Sequence, residues 1–309
     1  MPTPSKRILN DQIPMDHASM SDVLCHLSEQ YSCIGFGTLG TSILGRDIPL
    51  LSLGHGARCI LYVGAHHGME WITTTLLLRF LEDFCMAERT GHPLYRLNLS
   101  EFCNTHTLYI VPMLNPDGIE YQIHGVLTEN PLYQRLLAMN HGSEDFSHWQ
   151  ANARGVDLNH NYDAGFAEYK QFEISNGILG GAPGRFSGDS PESEPEVAYL
   201  CNFIRFCKGL RAVLTLHTQG EEIFYQSGGM TPKGSVTVAK KISLLSGYRL
   251  SEATGSAAYG GLSDWCIQKQ ALPCFTLECG KGKNPLPVKD FFPIYASLKE
   301  LLFTFPLLY

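Results

Sequence analysis

The segment LYVGAHHGMEW, residues 61–71, runs from an apolar stretch into two histidines and a glutamate. Imidazole nitrogen and carboxylate oxygen are both zinc donors, so His67 and Glu70 form a candidate half of a metal site. With 12 His and 18 Glu in 309 residues, chance placement gives about 0.7 His-x-x-Glu pairs, so the spacing alone is a weak signal. The chain holds three such pairs. His26 and Glu29 fall on the outer face of an amphipathic pattern, an ordinary solvated i, i+3 pair. His141 and Glu144 sit in the polar stretch NHGSEDFSHW, with no strand leading into them. His67 and Glu70 differ because they follow a β-prone apolar run and open a helical one. That is the sheet edge where α/β proteins place their ligands.

A catalytic zinc takes three protein ligands and keeps a fourth position open. His217, which closes the apolar run AVLTLHTQG, is the candidate third ligand, because it too should reach a sheet edge. Glu278 ends the apolar run CFTLECG, where a carboxylate is costly to bury unless it is paired or functional. Beside zinc it has a function: the ion lowers the pKa of water towards about 7, and a nearby carboxylate takes the proton during attack.

The elements that must position these groups can be read from periodicity. SMSDVLCHLSEQY places Val23, Leu24, Leu27 and Tyr31 on one helical face. The runs CIGFGTLG, IPLLSLG, CILYVGA and HTLYIVPML read as strands, with the helical pattern MEWITTTLLLRFLEDFCM between the last two. From residue 115 to about 196 the periodicity fades into Asn, Gly, Pro and Ser, a loop region long enough to be functional. A helix follows at SEPEVAYLCNFIRF, with Ser193 as a cap and Pro195 in its first turn. Further strands are expected at RAVLTLHT, EIFYQS and LPCFTLECG, and helices near 232–247, at LSDWCIQKQ and at FFPIYASLKELLF. Strand-helix alternation predicts one α/β/α domain over 19–309, preceded by a loose tail over 1–18.

Composition narrows the functional classes. A net charge of −7 argues against a nucleic-acid partner. No apolar run of membrane-spanning length is evident, and the N-terminus lacks the apolar region of a secretory signal, so a soluble, cytoplasmic protein is expected. The 10 cysteines are scattered without a CxxC pair and read as reduced core residues. The oligomeric state is not legible.

Taken in order, GTSILGRDIPLL, AHHGMEW, LNPDG, GVDLNHNYDAGF, SEPE, LTLHTQG, GGLSDW and FTLECG resemble the zinc metallocarboxypeptidases, the carboxypeptidase A-like family. The resemblance implies a three-layer α/β/α fold with a mixed, mostly parallel eight-stranded sheet. It implies one zinc ion on His67, Glu70 and His217, with Glu278 as general base and acid. Three positions depart from the family pattern. The Asn-Arg pair that holds a substrate's terminal carboxylate is here Asn159 and His160, and a neutral imidazole replaces a bidentate guanidinium poorly. The arginine that polarises the scissile carbonyl falls at Gln150, leaving Arg154 as the nearest cation. The mobile tyrosine falls at Ser256, with Tyr259 three residues later. Tyr225 and Tyr259 are candidate substrate contacts, although both can equally be packing aromatics.

WQANARGVDLN, LHTQGEEIFY and GKGKNPLP are similar to one branch of the family, the bacterial γ-D-glutamyl-L-diamino acid peptidases. The resemblance therefore implies hydrolysis of the γ-D-glutamyl-meso-diaminopimelate bond in peptidoglycan stem peptides. The alternatives are an ordinary metallocarboxypeptidase, an N-acyl amino acid deacylase, or an inactive module that binds wall peptides.

Overall fold

The computed structural model describes residues 7–91, 94–95 and 97–309. Eight strands form one sheet: β1 Ile34–Thr41, β2 Asp47–Gly54, β3 Arg58–Val63, β4 His106–Val111, β5 Leu210–His217, β6 Glu222–Phe224, β7 Arg249–Leu250 and β8 Cys274–Glu278. Their spatial order is β1-β2-β4-β3-β5-β8-β6-β7. The inner strands β4, β3, β5 and β8 run parallel, and β6 pairs parallel with β7. The β1/β2, β2/β4 and β6/β8 pairings are antiparallel. The sheet is mixed and α/β, as the resemblance implies, and its parallel block brings the C-terminal ends of β3, β5 and β8 to one edge.

Ten helices accompany it among the described residues: α1 His17–Gln30, α2 Trp71–Thr90, α3 Leu99–Thr105, α4 Pro116–His124, α5 Tyr133–Met139, α6 Phe166–Ser175, α7 Pro195–Phe206, α8 Ser235–Ser246, α9 Leu262–Gln270 and α10 Phe291–Thr304. Successive strand residues point to opposite faces, and the core divides accordingly. Ile60 and Tyr62 of β3 pack with α1, α2, α8 and α10, joined by Leu214 and Leu216 of β5 and Phe275 and Leu277 of β8. Leu61 and Val63 face α7 and α9 instead, with Val213 and Cys274. A smaller cluster of Tyr121, Leu136, Phe146, Trp149, Ala151 and Ala153 supports the loop that leads to the site.

Four expectations need correction. Residues 7–18 are docked rather than loose: Leu9 and Met15 are buried, Ile8 N donates to Glu82 Oε1 at 2.7 Å, and Arg7 pairs with Asp83. The remainder of the expected tail lies outside the described residues. The region 115–196 contains α4, α5 and α6, which are short. The first of them starts because Asn115 accepts from Gly118 N at 2.9 Å and Pro116 sits at its first position. Ser193 does not cap α7: Glu194 holds the cap position, and the Ser193 hydroxyl donates to Glu194 Oε1 at 3.0 Å. Finally, Val288–Leu308 has the length and mean hydropathy, 1.3, of a membrane-crossing helix. Half of its apolar window is buried in the protein, where Leu298, Leu301 and Leu302 fill the core against α2, so core packing accounts for the composition.

Candidate metal and peptidase site

The placement of the candidate ligands His67 and Glu70 arises from the way β3 ends. After Val63 the chain turns at Ala65, whose φ is 51°, and Ala65 N donates to Thr73 Oγ1 at 2.8 Å while that hydroxyl donates to Glu70 O at 2.8 Å. Thr73 therefore fixes the turn from inside α2. Asn115 holds the same turn from the β4 side, donating from Nδ2 to His66 O at 3.0 Å. Gly68 stands between the ligands with its N–H on Gln150 O at 2.9 Å, and a Cβ there would lie 2.4 Å from Gly118 O. Only glycine permits that approach.

These constraints bring the sequence-identified trio together. Glu70 Oε1 lies 3.1 Å from His67 Nδ1, and Glu70 Oε2 lies 3.0 Å from His217 Nδ1. Candidate donor atoms of the three residues all lie within 4.8 Å of one another. The donor set fits a zinc ion on chemical grounds: two imidazole nitrogens and one carboxylate is a known catalytic combination. It also fits on satisfaction, because Glu70 Oε2 is buried and accepts no hydrogen bond. Burial opposes ionisation of Glu70, but His67 and His217 outweigh it and hold the carboxyl at about 2. Burial also opposes a charged His67, and here Glu70 and Asp157 prevail and push its pKa up.

A buried layer orients the ligands. Asp157 Oδ1 lies 3.2 Å from His67 Nε2, without the alignment of a hydrogen bond. Its Oδ2 accepts from Gln150 Nε2 at 2.8 Å and from Arg185 N at 3.0 Å. Burial works against the Asp157 carboxylate, yet His67 and His160 keep its pKa well below the ordinary range. His66 stacks on His217 with ring centroids 5.0 Å apart and shares a 3.0 Å contact with the Tyr162 hydroxyl. Burial, then the charges of His217 and His67, lowers its pKa and favours the neutral ring. Asn284 joins the ends of two ligand segments: its Nδ2 donates to Thr218 O at 2.9 Å and lies 3.5 Å from Glu70 Oε1, while Thr218 Oγ1 donates back to Asn284 Oδ1 at 2.7 Å.

Glu278 is placed by sheet register. It lies directly across from His217 in the parallel β5/β8 pair, and Cys279 N donates to His217 O at 2.7 Å. Burial pushes its carboxyl up to about 8, with the charge of Glu70 adding to the effect and His67 opposing it. A carboxyl in that range can take and return a proton near neutrality.

The other sequence candidates are less closely gathered. Asn159 Oδ1 accepts from Leu262 N at 3.1 Å, so this amide also starts α9. His160 makes a 2.8 Å contact from Nδ1 to Tyr259 O and stacks on Tyr169 at 3.9 Å between centroids. Tyr259 packs against Gly165 and lines a cavity with Asp163, Phe166, Glu168 and Lys269 that includes none of the metal trio. Tyr225 is half-buried against the main core. Arg154 lies 3.8 Å from Glu194 Oε2 and lines a separate cavity with Asp189 and Glu194, so the structure does not gather it with the trio. Gln150, at the family's arginine position, is committed to Asp157. Sequence reasoning gave Asp157 at most a part in orienting its loop, and missed Asn115 and Asn284 altogether. The one signal that could have found them was their place in motifs already singled out, LNPDG, GVDLN and GKGKNPLP.

With this geometry in place, comparison with known proteins is direct. Residues 20–300 match the family model for zinc carboxypeptidases, peptidase family M14. The chain is 34% identical over 291 residues to γ-D-glutamyl-L-diamino acid endopeptidase 1 of Lysinibacillus sphaericus, covering 94% of this chain and 71% of that protein. It is 26% identical to carboxypeptidase B of Bos taurus over 268 residues, covering 81% of this chain and 59% of the relative. Among solved structures, bovine thrombin-activatable fibrinolysis inhibitor in complex with tick carboxypeptidase inhibitor superposes with a TM-score of 0.71 at 18% identity, covering 96% of this chain and 97% of that one. Murein-tripeptide amidase of Escherichia coli O157 gives a TM-score of 0.53 at 21% identity, covering 87% and 91%. At those identities the structural likeness speaks for the fold alone. A sheet edge that gathers His67, Glu70, His217 and Glu278, and a family match spanning nearly the whole described chain, lead to one conclusion: this chain belongs to the zinc carboxypeptidase family of peptidases, family M14.

Proposed function

We propose that this peptidase hydrolyses the γ-D-glutamyl-meso-diaminopimelate bond of peptidoglycan stem peptides, using a single zinc ion held by His67, Glu70 and His217. The observation that carries the hydrolytic reading is the convergence of those three donors on the strand end that faces Glu278. The bond specificity is supported by the resemblance to the Lysinibacillus sphaericus endopeptidase and by the altered carboxylate clamp, where His160 is engaged by Tyr259 O and the Tyr169 ring.

When bound, zinc supplies Lewis acidity, polarising a carbonyl and acidifying water. The chain's own residues do the rest. Asp157 sets the orientation of His67, and Asn284 holds Glu70 against the segment that follows His217. Glu278 accepts a proton from the attacking water and delivers it to the leaving amine of the diamino acid. Its place directly across from His217 at the strand end lets one carboxylate make both transfers.

An ordinary carboxypeptidase activity is the second reading, favoured by the 26% identity to carboxypeptidase B. Peptide digestion separates the two. Zinc-loaded protein should cut L-Ala-γ-D-Glu-meso-diaminopimelate and leave α-linked peptides with ordinary C-terminal residues whole. Trimming of the latter with the former untouched would replace the proposal by the second reading.

A further inference from the structure

The two oxygens of the Asp157 carboxylate divide the surroundings of the site. Oδ1 faces His67 and accepts from Asn159 N at 3.3 Å, the side that leads to His160. Oδ2 faces Gln150 Nε2 and Arg185 N. Gln150 and Arg185 also line a cleft of about 480 Å³ together with Met139, His141, His148 and Gly181. That volume suits a short peptide portion.

This cleft differs from three other cavities in having no carboxylate in its lining. The chain as a whole carries −7. Three other cavities each include two carboxylates in their linings: Glu252 and Asp264; Asp189 and Glu194, beside Arg135 and Arg154; and Asp163 and Glu168, beside Lys269. The lining of the Gln150–Arg185 cleft holds one guanidinium and two imidazoles and no acidic side chain. The Arg185 guanidinium makes no ion pair or side-chain hydrogen bond among the described residues, whereas Arg154 in the next cavity pairs with Glu194. An Arg without an internal partner at the wall of an acid-free cleft is a ready carboxylate receptor, since its planar fork matches two carboxylate oxygens.

We infer that this cleft is an anionic subsite for the acyl side of the substrate, in which Arg185 binds the free α-carboxylate of the γ-linked glutamyl residue, with His141 and His148 as additional donors. The assignment rests on the proposed bond specificity: a γ-linked glutamate leaves its α-carboxylate free, and an α-linked residue has none to offer. With the leaving diamino acid on the Asn159 and His160 side, the acyl portion falls on the Oδ2 side of Asp157, toward a cleft that includes none of the metal trio and is joined to the site through Gln150 and Arg185. Arg185 is thus a specificity residue, and its backbone contact to Asp157 survives side-chain substitution.

The test needs no turnover. Isothermal titration of zinc-loaded full-length protein with L-Ala-D-Glu and with the same dipeptide carrying an α-carboxamide compares two ligands that share a free γ-carboxyl. The acid should bind about tenfold more tightly, the effect of one charge-assisted hydrogen bond at a solvent-reached site. Arg185→Gln should bring the ratio to about one at unchanged zinc content, and Arg185→Lys should retain part of the preference. Equal affinities in the wild type, failure of both dipeptides to bind, or a preference that survives Arg185→Gln would overturn the assignment. If the acid is preferred but the tripeptide is left uncut by the active preparation, the bond specificity falls and the anionic subsite stands.

Discussion

His67 shows how much of a candidate metal site lies beyond its donor atoms. Its Nδ1 faces Glu70 and its other nitrogen faces Asp157, which is itself fixed by Gln150 and Arg185. Partners of this kind typically change metal affinity by about 10- to 100-fold when removed. Asp157→Asn should therefore weaken zinc binding by about that factor in chelator competition, while circular dichroism stays native; unchanged affinity would show that Asp157 does not orient the ligand. The candidate trio was legible in the sequence because His67 and Glu70 follow the apolar run of β3 and His217 closes that of β5, where polar groups are easy to recognise. The contacts of Asp157 with His67, of Asn115 with His66 O and of Asn284 with Thr218 were not, because each joins residues far apart in sequence.

At the level of elements, the site depends on close approach between β3's exit and α4's first turn. Gly68→Ala places a methyl against Gly118 O, so it should displace the His67–Glu70 turn and abolish stoichiometric zinc uptake; full uptake with native mobility would contradict that packing. A second element, the start of α7, carries the buried Glu196 carboxyl, which burial, aided by Asp117 and Glu194, lifts to about 8. A folded pKa above the unfolded value near 4.5 means that the native state binds more protons between those limits, so this group makes stability fall as pH rises from about 5 to 8. Glu196→Gln should flatten that decline in thermal melts, and an unaltered pH slope would show that Glu196 does not titrate as described. Long strands and helices were readable from periodicity. The short helices α4, α5 and α6 were not, because their starts depend on local capping and loop packing, as in the Asn115 cap, rather than on a sustained apolar face.

Across the whole molecule, a parallel central block delivers three chemically distinct strand ends to one edge, and the loops beyond them supply orientation and charge. The mixed sheet and the family could be anticipated from ordered motifs spread along the chain; the charge contrast between its cavities could not, since it depends on which loops become neighbours. The proposed reaction is cleavage of a γ-glutamyl bond, with Glu278 acting beside the His67, Glu70 and His217 trio. The decisive measurement is mass spectrometry of L-Ala-γ-D-Glu-meso-diaminopimelate incubated with zinc-loaded protein, run beside Glu278→Gln with matched zinc content. Release of free diaminopimelate by the wild type, slowed by about 10²- to 10⁴-fold in the variant, is the expected result. An intact tripeptide with the wild type, or equal release by both proteins, would contradict it.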